Sequence, residues 1–169
     1  LLLQVLAMGL ANRAAAPGSV TTAVTLPSNP YGPEDFGYEN GYLTCLAGES
    51  RLGIDVSTHQ GIIDWQQVAD AGIQFAMIRV GYRGYGTGLI DIDEDALQNL
   101  TGASDAGLEI GAYFFSQATT LDEVYDEIEF MLDILGDYQL EYPIVLDWEI
   151  ANPTEGRTNG VDRRMLTDM

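Results

Sequence analysis

Short apolar runs alternate with amphipathic segments over most of the chain. The runs are Leu52–Val56, Phe75–Val80, Ile110–Phe115 and Ile144–Glu149. Each is short and almost continuously apolar, which is typical of a strand buried on both faces. The segments after the first three runs carry apolar residues at helical spacing, so a helix is predicted after each of them. Strands that alternate with helices pair in parallel, and the pattern therefore predicts an α/β fold.

The predicted helices have recognisable ends. Asp64 is placed to cap a helix from Trp65 to Ala71, which Gly72 stops. A second helix runs from about residue 94 to residue 106 and is closed by Gly107, which can adopt the left-handed cap conformation.

The third helix has the clearest pattern in the chain. Thr120 and Glu123 form a T-x-x-E capping box at its start, and Gly136 ends it. Its predicted apolar stripe consists of Leu121, Val124, Tyr125, Ile128, Leu132 and Leu135. The opposite, acidic face consists of Asp122, Asp126, Glu129 and Asp133. This arrangement predicts one buried face and one solvated face.

Three strand–helix units and a fourth strand make up about half of an eight-stranded barrel. The segment 51–169 is shorter than the at least ~200 residues that such a barrel needs. We therefore expect the N-terminal part of a (β/α) TIM-like barrel, with only the first four or so βα units present and the chain cut in mid-domain. A half barrel leaves strand edges unpaired, so we do not expect it to fold stably alone. We expect a monomer.

The first fifty residues differ from the rest in composition. The apolar segment Leu1–Leu10 is followed by Arg13 and three alanines, so residues 1–16 resemble the end of a signal peptide or of a membrane anchor. The alternative is an apolar helix of another domain. Residues 17–50 are rich in Pro and Gly and show no evident helical or strand period, which predicts a linker.

The charge of the chain narrows the choice of partners. The formal net charge is -19 at pH 7. Such a surface repels nucleic acid and anionic lipid, so we expect no nucleic-acid partner and no membrane insertion of the 51–169 domain. Cys45 is the only cysteine, which excludes a disulfide within the chain and favours an inert thiol.

Candidate chemistry is concentrated at the end of the fourth predicted strand. Asp147 and Glu149 are two residues apart, so on a strand they project to the same side, about 6.6 Å apart at the backbone, and Trp148 points the other way. Asp55 holds the equivalent place on the first strand. Barrel enzymes keep catalytic groups at this end of their strands. Close carboxyls divide into one that holds its proton and one that stays ionised, as glycosidic bond cleavage requires.

Other interpretations of these residues remain open. Asp55 could cap a loop, and a D-x-E pair alone is a weak pattern. The three carboxylates could bind a divalent cation in a metal-dependent hydrolase. The domain could also bind glycan without cleaving it. The segment Gly81–Gly86 lacks the residues of a phosphate-binding loop and is predicted to be a flexible loop over the cleft, where Tyr82 and Tyr85 could stack on sugars.

Several motifs in order resemble glycoside hydrolase family twenty-five. They are Gly53–Ser57, Gln60-Gly61, Ile63–Trp65, Gly111–Ala118 and Pro143–Glu149. Members of this family are lysozymes (N-acetylmuramidases) that cleave the β-1,4 bond between N-acetylmuramic acid and N-acetylglucosamine in peptidoglycan. The resemblance implies a modified (β/α) barrel that needs no cofactor and no metal. It also implies that the partner is the peptidoglycan glycan strand. The leader-like residues 1–16 indicate that the protein is secreted or cell-wall associated.

The resemblance also implies roles for individual residues. Glu149 matches the proton donor, and Asp147 matches the carboxylate that orients the 2-acetamido group of the substrate or stabilises the cation. Asp55 matches a further active-site carboxylate, and Tyr113 an aromatic residue of the sugar cleft. The expected substrate-binding residues are Tyr113, Phe115 and Tyr82. The spacing leaves open whether configuration is retained or inverted.

Overall fold

The chain divides after Ser50 into two compact units. The computed structural model describes residues 28–162. The predicted leader, residues 1–16, lies outside this range. Within residues 28–162, none of the helices combines the length and the apolar character needed to cross a bilayer.

The first unit contains a β-hairpin. Strand β1 (Phe36–Glu39) pairs antiparallel with β2 (Tyr42–Cys45), after a single 3-10 turn at Pro33–Asp35. Asn40 and Gly41 connect the strands and both have positive φ, at 51° and 87°. These angles are those of the tight hairpin turn that an Asn-Gly pair favours.

The hairpin corrects the expectation that the Pro/Gly-rich segment lacks a strand period. Each strand has only four residues, too few for an alternation to stand out among polar neighbours. The Asn-Gly pair was the available signal. That the segment serves as a linker stays a prediction.

The second unit is built on a five-stranded sheet. Its strands are β3 (Gly53–Val56), β4 (Phe75–Arg83), β5 (Ile90–Ile92), β6 (Glu109–Ser116) and β7 (Ile144–Trp148). The order β3-β4-β6-β7 is parallel throughout, and β5 pairs antiparallel with β4. The helices are α1 (Trp65–Asp70), α2 (Ala96–Asp105) and α3 (Leu121–Leu135), with a 3-10 turn at Thr58–Gln60. The predicted α/β fold with parallel strands is confirmed, and over residues 28–162 the sheet stays open.

Strand β4 is longer than predicted, which corrects the flexible loop expected at Gly81–Gly86. Residues 81–83 pair with β5, and the turn itself is shorter, with the Gly84 and Leu89 backbones bonded at 2.9 Å. A Cβ on Gly81 would lie 2.7 Å from the Phe130 ring and 2.8 Å from the Asp91 carbonyl oxygen. The glycine at position 81 therefore permits close packing.

One face of the sheet is covered by the helices. Its buried residues are Val56, Ala76, Ile78, Val80, Ile110, Ala112 and Phe114. The Phe114 ring meets Phe130 of α3 edge to face, with the ring centroids 6.1 Å apart. This packing fixes which side chains point to the opposite face, because neighbours along a strand alternate.

Helix α3 is rotated relative to the predicted stripe. Glu127 is fully buried, whereas Leu121 is 41% exposed. Only one of the two hydrogen bonds of the predicted capping box forms. The Thr120 hydroxyl accepts from the Glu123 backbone, but the Glu123 carboxylate accepts from the backbone N–H and the hydroxyl of Thr119. Helix α3 thus directs the carboxylates of Glu123 and Glu127 towards the ends of the strands.

Candidate active site

The face of the sheet opposite the helices carries the candidate site. Register partners in a parallel ladder point to the same side. Asp55 pairs with Met77, and Phe115 pairs with Asp147. Arg79 pairs with Tyr113 on the two strands between them. The predicted residues Asp55, Tyr113, Phe115 and Asp147 therefore share one face, near the carboxyl ends of four parallel strands.

Three of the predicted residues line a single cavity. Asp55, Tyr113 and Asp147 contribute to the wall of a cavity of about 410 Å³, together with Met77. The floor belongs to the parallel sheet, since Met77 and Tyr113 come from its two central strands. The cavity combines two carboxyls with one aromatic ring, which suits a polar ring-shaped ligand such as a sugar.

The carboxyls of this cavity influence one another. Burial raises the pKa of Asp147, and the nearby charge of Asp55 raises it further. Burial also raises the pKa of Tyr113. The charge of Arg79 opposes this rise, and those of Asp55 and Asp147 add to it. Asp147 therefore holds a proton more readily than a free aspartate does.

Glu149 does not lie on the strand, contrary to the prediction. Strand β7 ends at Trp148, and Glu149 follows it as an exposed residue. It is not among the residues that line the 410 Å³ cavity. The Trp148 indole donates to the Ala118 carbonyl at 2.8 Å, which ties the end of the strand to the segment after β6. A two-residue spacing fixes a common side only while both residues belong to the ladder.

A buried ion pair lies beside the cavity and was not predicted. Arg79 Nε donates to Asp93 Oδ2 at 2.8 Å, and Asp93 is only 1% exposed. The same Asp93 oxygen accepts from the Thr58 backbone at 3.0 Å. The available signal was Arg79 itself, because a lone arginine in an apolar strand needs a buried partner.

An irregularity in β4 places Tyr82 on the same face as Arg79. The β4–β6 register shifts between Arg79 and Gly81, so that Tyr82 pairs with Phe115. The Arg79 guanidinium lies 5.4 Å from the centre of the Tyr82 ring. Without the extra residue at Val80, two positions three apart would point to opposite faces.

A second cavity on this side contains the other two predicted aromatics. Tyr82 and Phe115 line a volume of about 560 Å³ with Arg79, His59 and Tyr85. Arg79 borders this cavity, and its register partner Tyr113 borders the first. The aromatic residues predicted to bind substrate are thus divided between two cavities on one face.

A second buried ion pair supports the wall of this cavity from below. Arg83 Nε donates to Glu127 Oε1 at 2.6 Å, and the Ser116 hydroxyl donates to the other Glu127 oxygen at 2.6 Å. Burial raises the pKa of Glu127, and its bonds to Ser116 and Arg83 oppose that rise. Arg83 also donates to the Gly88 carbonyl at 2.8 Å, which anchors the turn that carries Tyr85.

The His, Cys, Asp and Glu side chains of residues 28–162 form no cluster that could hold a metal ion. Sugar-cleaving chemistry by paired carboxyls requires no ion.

The chain is similar to one protein family and to several solved structures. The model of the glycosyl hydrolases family 25 matches residues 54–168, which is more than half of the chain. A family 25 glycosyl hydrolase from Bacillus anthracis is 22% identical with a TM-score of 0.57, over 81% of this chain and 56% of that one. The modular autolysin LytC from Streptococcus pneumoniae is 21% identical with a TM-score of 0.53, over 66% of this chain and 27% of that one. A muramidase from Trichobolus zukalii is 21% identical with a TM-score of 0.53, over 70% of this chain and 55% of that one.

These similarities differ in what they establish. At such identities the solved structures show a common fold. The chain spans between 27% and 56% of the lengths of these three proteins. No curated protein matches the chain. The family match covers all four parallel strands apart from the first residue of β3 and includes the carboxyls of the candidate site. The chain belongs to the glycosyl hydrolases family 25.

Proposed function

We propose that this chain provides the central catalytic carboxyls of a lysozyme. The reaction is hydrolysis of the β-1,4 bond between N-acetylmuramic acid and N-acetylglucosamine in peptidoglycan. The observation that carries the proposal is the grouping of Asp55, Asp147 and Tyr113 around one cavity in a family 25 chain. The four parallel strands are taken to belong to a (β/α) barrel whose mouth holds the glycan.

Glu149 is assigned the role of proton donor to the leaving sugar oxygen. Cleavage of a glycosidic bond needs such an acid together with an anion that faces the developing positive charge. Glu149 directly follows the strand that carries Asp147 and is exposed, so its carboxyl is accessible to a bound glycan.

Asp147 is assigned to orienting the substrate, and Asp55 to stabilising the positive charge that develops. The pKa of Asp147 is raised by burial and by the charge of Asp55, which favours a shared proton between Asp147 and a polar group of the substrate. The 2-acetamido group of the muramic acid offers such a partner. Asp55 supplies the negative charge that faces the cationic transition state.

The aromatic residues are assigned to sugar binding. Tyr113 lines the cavity with the carboxyls, and Phe115 and Tyr82 line the neighbouring one. Aromatic faces pack against the apolar faces of pyranose rings, and a few convergent polar groups set the orientation. Solved structures of LytC include a complex with a synthetic peptidoglycan ligand, which supports a glycan strand as the partner. A secreted or wall-associated monomer fits such a substrate.

The experiment compares variants of the complete protein on purified peptidoglycan by release of reducing ends. Glu149→Gln should lower the rate at least about 10²-fold, as expected for a general acid. Asp147→Asn and Asp55→Asn should also lower it. Asp133→Asn, on the exposed face of α3, is the matched control and should leave the rate unchanged. If Glu149→Gln is as fast as the wild type, Glu149 is not the proton donor. If the wild type releases no reducing ends, the proposed function is wrong.

A further inference from the structure

The backbone of Glu149 is held by groups outside the sheet. The β6–β7 ladder ends at the pair Ser116–Trp148, so it does not fix the next residue. The Glu149 carbonyl oxygen instead accepts a hydrogen bond from Gln117 Nε2 at 2.6 Å. The Thr158 hydroxyl lies 3.4 Å from the same oxygen.

The Gln117 side chain is fully buried, and all of its polar atoms have partners. Its amide nitrogen also donates to the Ser116 carbonyl at 2.8 Å. Its amide oxygen lies 3.3 Å from the Thr158 hydroxyl. That hydroxyl has one proton, which it shares between Gln117 Oε1 and the Glu149 carbonyl. A buried amide with every partner in place has one low-energy orientation.

The backbone around Gln117 is fixed as well. Arg157 NH1 donates to the Gln117 carbonyl at 3.1 Å, and Arg157 NH2 donates to Glu123 Oε1 at 2.6 Å. The next residue, Ala118, accepts from the Trp148 indole at 2.8 Å. Gln117 is therefore a rigid support, tied to α3 and to the end of β7.

We propose that Gln117 is the positioning residue for Glu149, an inference that rests on the proposed function. Through the Glu149 carbonyl it sets the backbone from which the acid side chain extends. Proton donation needs the carboxyl within about 2.6–3.2 Å of the leaving oxygen. A displacement of about 1 Å can cost on the order of 10²-fold in rate, so a fixed backbone at this position has a direct catalytic effect.

The test is a double-mutant cycle between Gln117→Met and Glu149→Gln in the complete protein. Methionine has a similar shape but lacks the donors and the acceptor of the amide. We expect Gln117→Met to lower kcat about 10-fold to 100-fold and to change KM less than about 3-fold, because the interaction acts on the chemical step. In the Glu149→Gln background the same change should have no further effect, since there is no acid left to position.

Two further variants separate positioning from stability. Gln74→Met is the matched control, because Gln74 Oε1 accepts from the Leu52 backbone at 3.1 Å, at the opposite end of the sheet. It should leave kcat unchanged. Thr158→Val removes the weaker bond to the Glu149 carbonyl and serves if Gln117→Met does not fold. We expect it to lower kcat about 3-fold in the wild-type background, with no effect after Glu149→Gln.

The outcomes distinguish this inference from the proposed function. A wild-type kcat in Gln117→Met overturns the role of Gln117 alone, as does an equal loss in both backgrounds. If Gln117→Met does not fold and Thr158→Val is measured instead, the same two results for Thr158→Val overturn the role of Gln117. A wild-type protein that releases no reducing ends from peptidoglycan overturns the proposed function, and the role of Gln117 with it.

Discussion

Asp55 on β3 and Asp147 on β7 line the same cavity although two strands lie between them. Three strand spacings on a flat sheet would separate them by about 14 Å. Met77 and Tyr113, from the two strands between them, line the same cavity, which therefore crosses all four parallel strands. Within this cavity, burial raises the pKa of Asp147 and the charge of Asp55 raises it further.

Asp55→Asn should lower the pKa of Asp147. The substitution removes a nearby negative charge, which makes ionisation of Asp147 less costly, while the contribution from burial remains. The pKa of Asp147 can be followed by NMR titration of its side-chain carboxyl carbon. Asp91→Asn, an exposed change in β5, is the control and should leave it unchanged. An unchanged titration in Asp55→Asn would mean that the two carboxyls do not interact.

Breaking the Arg79–Asp93 pair from one side should be strongly destabilising. Arg79→Met leaves the buried Asp93 carboxylate without its cation, and such a loss costs about 3–5 kcal/mol. The double variant with Asp93→Leu should recover part of that loss, because no buried charge remains. Urea denaturation of the wild type, Arg79→Met and the double variant measures the loss in free energy of unfolding and its partial recovery. A double variant less stable than Arg79→Met would show that Asp93 is not held mainly by this arginine.

Glu123→Gln should destabilise the protein at neutral pH and lose its effect in acid. Burial opposes ionisation of Glu123, but hydrogen bonds from Arg157 and Thr119 outweigh it and lower its pKa to about 2. A depressed pKa contributes stability above the unfolded-state value of 4.5, and this contribution is lost as pH falls towards 2. Thermal unfolding at pH 7 should give Glu123→Gln a free energy of unfolding about 1–3 kcal/mol below that of the wild type. This difference should narrow below pH 4.5. A difference independent of pH would contradict this linkage.

Gly81→Ala should destabilise the β4–β5 hairpin. The new methyl group would meet the Phe130 ring and the Asp91 carbonyl within 2.8 Å, and overpacking of this kind costs about 1–3 kcal/mol. Gly86→Ala is the matched control, because its added Cβ would have no neighbour within 4 Å. Comparison of the two melting temperatures checks the prediction. Equal melting temperatures would favour the flexible loop inferred from sequence.

The parallel strands and the helices of the second unit could be predicted because their patterns are local. Strand β6 contains a continuous apolar run, and helix α3 repeats its apolar positions over 15 residues, long enough for the helical period to be clear. Asp55 and Asp147 lie on one side of the sheet because both belong to the ladder, so their common face could be predicted in the same way.

The remaining features depend on contacts that spacing does not encode. Glu149 leaves the ladder because β7 ends at Trp148, and its backbone is held by Gln117, which is distant in sequence. Glu127, which the predicted apolar stripe did not include, is buried because Arg83 of β4 pairs with it. The extra residue at Val80, which brings Tyr82 beside Arg79, depends on pairing with β6.

The most direct test of the central claim identifies the sugar at the new reducing end. Peptidoglycan is digested with the complete protein, reduced with borohydride and analysed by mass spectrometry, with Glu149→Gln as the inactive control. We expect N-acetylmuramic acid, recovered in its reduced form, at the end of the released fragments. Fragments that end in reduced N-acetylglucosamine, or no fragments at all, would contradict this expectation.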